Sequence, residues 1–89
     1  MEVVYSKNVI KAVQKRKLSM ETWENFRDAF ASMARTGNLR MFDVKKMLVK
    51  NEHHYYRLRI GKYRALFRMT QDSIVVEEIG SRGGVYRWL

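Results

Sequence analysis

The stretch from Tyr55 to Arg68, YYRLRIGKYRALFR, constrains this chain more than any other. It reads as two strands of alternating character joined by Gly61-Lys62. A Gly-X pair between such runs marks a two-residue type II′ hairpin, because glycine takes a positive φ without steric penalty. That loop length sets the register. Ile60 falls opposite Tyr63, Leu58 opposite Ala65 and Tyr56 opposite Phe67, all on one face. The other face carries Arg59 opposite Arg64, with Arg57 two residues back and Arg68 opposite Tyr55.

Two arginines directly across a strand pair repel, by roughly a few tenths of a kcal/mol or more. A solvated face explains two such side chains. Three or four on one sheet face, with no acidic residue among them, read instead as a site for phosphate, whose oxygens suit the guanidinium fork.

A chain of 89 residues makes a single domain, 1–89, with one modest core. At 46% hydrophobic and 30% charged it is globular rather than disordered. Without cysteine it has no disulfide framework and no thiolate metal site. No apolar run approaches a membrane span, and MEVVYSKNV lacks a signal peptide's apolar core, so a cytoplasmic protein is expected. Lys and Arg number 18 against nine Asp and Glu, a net charge of +9 with a pI near 10.2. Such a chain is drawn to a polyanion or to an acidic protein. Ribosome or nucleic acid fits better than membrane, because no long helix pairs a basic face with an exposed apolar one.

In chain order, Glu2 to Tyr5 suits a short strand. Ser6 caps a helix running to about Lys17, with Val9, Ile10 and Val13 on its buried side and Lys7, Lys11, Lys15, Arg16 and Lys17 on its other face and end. Ser19 caps a longer helix from about Met20 to Arg35, whose Trp23, Phe26, Phe30 and Met33 form a core stripe. Gly37 is its left-handed stop, and the two helices read as an antiparallel pair. From Leu39 to Glu52 either a loop or one short helix fits, with Leu48 or Met47 anchoring it in the core. After the hairpin, Gln71-Asp72 makes a turn, Ser73 to Ile79 a third strand, and GSRGGVYRWL the exit. The order β-α-α-β-β-β predicts an α+β domain. The N-terminal strand joins a three-stranded antiparallel meander, the helices cover the Leu58/Ala65/Phe67 face, and the arginine face stays open.

The hairpin, a third strand and IGSRGGVYRW, behind a helical pair, resemble the RelE/ParE superfamily of toxins from toxin–antitoxin modules. The likeness covers nearly the whole chain, and RLRIGKYR with the R-x-x-V-Y ending is its most specific part. The RelE branch implies an mRNA endoribonuclease that enters the ribosomal A site and cleaves the codon there by attack of a 2′-hydroxyl on the adjacent phosphate. Position by position, the resemblance assigns Arg57 and Arg59 to two basic sites on the first hairpin strand. Arg64 corresponds to the arginine after the tyrosine that opens the second strand, Arg82 to an arginine beyond the last strand, and Tyr86 to the tyrosine near the C-terminus. It further implies an acidic, RelB-like antitoxin as partner, with no cofactor and no metal. The sister ParE branch acts on gyrase and generally lacks the complete set. A ParE-like gyrase inhibitor and a non-catalytic basic RNA-binding module are the alternatives.

Attack at phosphate builds charge on the non-bridging oxygens, which preorganised guanidinium groups stabilise; Arg59, Arg64 and Arg82 suit that role. Arg57, Arg68 and His54 suit substrate binding. Tyr86 either stacks on a base or orients the 2′-hydroxyl, or else plugs the core edge, while Trp88 fits a core or antitoxin contact. RelE proteins carry lysines where this chain has Arg57 and Arg59, and arginine is no general base near neutral pH. Either positioning and charge stabilisation supply most of the acceleration, or another group moves the proton. His54 titrates in the right range, although His53-His54 also reads as a solvated pair, and no spaced third ligand suggests a metal. Ser81 stands where many relatives carry histidine or lysine.

Overall fold

Residues 1–47 and 55–81 are described by a computed structural model of the chain. Its elements are β1 (Glu2–Tyr5), α1 (Lys7–Gln14), α2 (Met20–Thr36), β2 (Val44–Met47), β3 (Tyr55–Ile60), β4 (Tyr63–Met69) and β5 (Ser73–Ser81). The strands form one five-stranded sheet ordered β1-β5-β4-β3-β2, with β1 parallel to β5 and every other pair antiparallel. Both helices lie on one face, α1 against β5 and α2 against β1 and β5.

The hairpin adopts the register read from its sequence, through all of Ile60↔Tyr63, Arg59↔Arg64, Leu58↔Ala65, Tyr56↔Phe67 and Tyr55↔Arg68. Gly61 takes φ +60 while Lys62 keeps a negative φ, as a type II′ turn requires. Two expectations fail next door. Val44–Met47 is neither loop nor helix but a fourth strand of the meander, paired with β3. Met47 does not anchor the core: it faces Tyr55 on the side away from the helices, while Leu39, Phe42 and Val44 pack against the core. Leu48 lies outside the described residues.

The core is built around an aromatic chain that crosses from helix to sheet. Trp23 meets Tyr5 edge-on at 4.8 Å, Tyr5 meets Phe30 at 6.3 Å, Phe30 meets Phe67 at 5.1 Å, and Phe67 stacks on Tyr56 at 5.5 Å. Edge-to-face pairs at these separations add roughly 0.5–1.5 kcal/mol each beyond the area they bury. Burial pushes the Tyr5 phenol up to about 12, with Arg27 pulling it down and Asp28 pushing it up. A phenol whose folded pKa is raised protects the fold below pH 10, and that protection is lost as the pH climbs towards 12.

Strand β5 contains a phase change. Ile74 and Val76 point into the core, and strict alternation would send Glu78 in after them. A bulge opposite Leu66/Phe67 inserts Glu77, so that Phe67 pairs with Val76 while Leu66 pairs with Glu78, and Ile79 turns inward opposite Ala65. Ser6 supports this site from the other side. Its hydroxyl donates to the Glu77 carbonyl at 2.6 Å while accepting from Val9 N as the α1 N-cap.

The first helix is shorter than its apolar spacing suggests. It ends at Gln14, Ile10 remains 40% exposed, and Arg16 turns the chain with φ +57. Lys17 N donates to Ala12 O and Arg16 N to Val13 O, the paired bonds of a Schellman motif, with Arg16 at the position usually held by glycine. A left-handed backbone at an arginine costs roughly 1 kcal/mol relative to glycine. Arg16→Gly is therefore expected to stabilise the domain by about 0.5–1 kcal/mol, read as a higher thermal midpoint. An unchanged or lower midpoint would contradict this account of the turn.

Candidate functional site

The face opposite the helices is organised in rows that run across the strands. At the hairpin end, Arg59 of β3 faces Arg64 of β4, which in turn faces Gly80 of β5. In the next row Lys45, Arg57, Leu66 and Glu78 follow one another from β2 to β5. Beyond it lie Met47, Tyr55, Arg68, Val75 and Val4. Arg57, Arg59, Arg64 and Arg68 thus share one side of the sheet, as the alternation predicts.

Their surroundings divide them into two kinds. Arg57 is bonded to Asp43 at 2.9 Å, and Arg68 to Glu77 at 2.8 Å. The expectation of a face without acidic residues is therefore wrong. Asp43 reaches in from the turn before β2, and Glu77 projects on the same side of β5 as Val75. Nor is the face uniformly open. Leu66 has no exposed surface, the Arg57 side chain is only 16% exposed, and its Nε is enclosed and donates to nothing. Arg68, expected to bind substrate, has its guanidinium engaged by Glu77 instead.

Arg59 and Arg64 form the second kind. Among the described residues neither pairs with a carboxylate. Arg59 is exposed and donates through Nε to the Gly61 carbonyl at 3.3 Å, which folds its side chain back over the turn. Arg64 is half-buried, and on its β5 side Gly80 presents no side chain. Two adjacent cations left unneutralised leave a concentrated positive potential at this corner, ready for an anion with several oxygens.

Asp43 is the residue that sequence reasoning missed. Its carboxylate holds Arg57, and its carbonyl accepts from Arg59 N at 3.0 Å, so one residue ties down the two strand neighbours of the site. Its only signal was a single acid in a basic stretch, Asp43 before Lys45 and Lys46. His54, Arg82, Tyr86 and Trp88 lie outside the described residues. Among the described residues no three of His, Cys, Asp and Glu gather closely enough to hold a metal ion, and no helix is long and apolar enough to cross a membrane.

The chain is thus a small basic α+β domain whose sheet carries at one corner a guanidinium pair with no carboxylate partner among the described residues. Comparison with known proteins narrows that description. No family model matches the chain. It is 36% identical over 44 residues to toxin RelE3 of Methanocaldococcus jannaschii. The aligned stretch covers 49% of this chain and 48% of that protein, so the chain spans about half the length of the curated relative it matches. The RelE–RelB complex from Pyrococcus horikoshii superposes with a TM-score of 0.73 at 26% identity, over 93% of this chain and 96% of that one. The RelB–RelE antitoxin–toxin complex from Methanococcus jannaschii gives 0.72 at 20% identity, over 97% and 98%, a likeness of fold. The chain is thus similar to archaeal RelE proteins, in sequence over about half its length and in fold over nearly all of it.

Proposed function

We propose that this chain is the toxin of a type II toxin–antitoxin module and cleaves mRNA in the ribosomal A site. The observation that carries the reading is the Arg59–Arg64 pair, two guanidinium groups on one corner of the sheet with no carboxylate to neutralise them among the described residues. In the reaction a ribose 2′-oxygen bonds to the adjacent phosphorus as the bond to the 5′-oxygen breaks. One strand is left with a 2′,3′-cyclic phosphate, and the other with a 5′-hydroxyl once its oxygen takes up a proton. Arg64 stabilises the charge that builds on the phosphoryl oxygens, and Arg59 holds the neighbouring phosphate. Arg82 and Tyr86, the positions the family resemblance picks out, are proposed to stabilise charge and to stack on a base or orient the 2′-hydroxyl, and His54 is the group proposed to move the proton.

Arg57 enters as a guanidinium oriented by Asp43 rather than as a free cation. Asp43→Asn is expected to lower cleavage about tenfold, mostly in kcat, and stability by about 1 kcal/mol or less, because half of the ion pair is solvent-exposed. Asp43→Glu should recover part of the rate, and equal losses in both variants would argue against a positioning role.

The proposed partner is an acidic antitoxin of RelB type. The outer edge of β1 has no strand beside it among the described residues. The test of the whole reading is in vitro translation of a defined message followed by primer extension. Purified protein should cut within the A-site codon of stalled ribosomes. Intact message together with inhibited supercoiling by gyrase would replace this reading with the ParE-like one.

A further inference from the structure

Gly80 is the residue of β5 directly opposite Arg64, and it continues the row that begins with Arg59. Its backbone does not require glycine. It lies within β5 and lacks the positive φ that Gly37 and Gly61 take, so an L side chain would fit its conformation. Glycine also works against the strand here. It has more freedom to lose on folding and nothing to pack, whereas Ile74, Val75, Val76 and Ile79 of the same strand are the β-branched residues a sheet prefers. A glycine inside a strand often marks a place where a ligand or another backbone comes close.

The two sides of the guanidinium pair are unlike. Towards β2 stands Asp43, whose side chain is 57% exposed beside its bond to Arg57 and repels a phosphate. Towards β5 there is the Gly80 backbone. Ile79 turns into the core, and Glu78, the next outward residue, lies about 7 Å back along the strand, one row further from the hairpin end. An anion approaching over Gly80 therefore comes down to the sheet beside Arg64 with no β5 side chain in its way. Arg64 is half-buried, so a ligand has to come this close to meet its guanidinium.

We propose that Gly80 is the seat of the scissile phosphate. The message crosses the sheet along this row, with the reacting phosphodiester over Gly80 against Arg64 and the neighbouring phosphate at Arg59. The proposal rests on the reading of the chain as a message nuclease, and adds to it a residue that touches the substrate. The absent side chain sets the depth at which the phosphate sits. A single methyl group there lifts the phosphate away from Arg64, whose donors stabilise the developing charge only at hydrogen-bond distance. Asp43 and Glu78 flank the path and repel a strand displaced from it.

The test replaces Gly80 with side chains of increasing size. Gly80→Ala should lower kcat for A-site cleavage about tenfold and Gly80→Val about a hundredfold, with KM little changed, since a misplacement of about 1 Å has an effect of that order. Both variants should melt about 2–6 °C higher, because each narrows the unfolded ensemble and suits the strand better. Misfolding cannot lower activity while raising the midpoint. In an Arg64→Ala background Gly80→Val should have little further effect, because the contact it blocks is already gone. Cleavage by Gly80→Val within a few-fold of the parent would overturn the proposal and leave the proposed function standing. So would a lower midpoint in Gly80→Ala, which would make the glycine a packing requirement, or an undiminished loss in the Arg64→Ala background. If the parent chain cuts no message, the proposed function falls, and binding of an uncleavable 2′-deoxy oligonucleotide decides the rest. Weaker binding by Gly80→Val then keeps the close approach, and equal binding removes it.

Discussion

Arg64→Ala is expected to reduce A-site message cleavage by about 10²- to 10³-fold, the loss typical when one preorganised donor to a developing oxyanion is removed. Stability should hold or rise slightly. Arg64 stands directly opposite Arg59, and removing one of two like charges across a strand pair relieves roughly a few tenths of a kcal/mol of repulsion. That combination separates a functional cation from a structural one. Arg68→Ala makes the useful contrast, because its guanidinium is bonded to Glu77 and its removal leaves a half-buried carboxylate without its partner. It should cost stability rather than chemistry. Arg64→Lys keeps the charge but loses the fork, so an intermediate rate is expected. Single-turnover cleavage by primer extension, run beside thermal melts, reads all three. Activity of Arg64→Ala within a few-fold of the parent, at an unchanged midpoint, would remove this residue from the reaction.

The hairpin was legible because two independent signals agree there: a period of two over both strands and a loop that allows only one register. Nothing comparable marks β2. Val44-Lys45-Lys46-Met47 has apolar ends and a charged middle, and it becomes a strand through its pairing with β3 rather than through its own pattern. The bulge at Glu77 was equally hidden, since no glycine announces it and its carbonyl is satisfied by Ser6, distant in sequence. These two features decide the electrostatics. Asp43 and Glu77 neutralise the outer members of the arginine set, and the hairpin-end pair has no carboxylate partner among the described residues. Alternation places side chains on a face, but which cations stay free depends on long-range pairing that local sequence does not encode. Arg16 shows the same limit in a helix: without a glycine at the stop, the apolar spacing runs on past the true end at Gln14.

Phe30→Ala is expected to remove about 3–5 kcal/mol, the usual loss when a fully buried phenylalanine is truncated. A domain of this length has only about 4–13 kcal/mol in all, at roughly 0.05–0.15 kcal/mol per residue, so the variant should lose between about a quarter and all of its stability. Phe30 has no exposed surface and is the ring where three elements meet, touching Tyr5 of β1, Phe26 of α2 and Phe67 of β4. Its loss empties the joint that ties the edge strand and the long helix to the hairpin. Met33→Ala, one turn further along α2 and also buried, should cost about 2–5 kcal/mol, because it takes no part in the aromatic chain. Urea denaturation of the two variants decides between a keystone ring and a uniformly shared core. If Phe30→Ala shifted the free energy by under about 1 kcal/mol, the sheet would be held to its helices by something other than this aromatic chain.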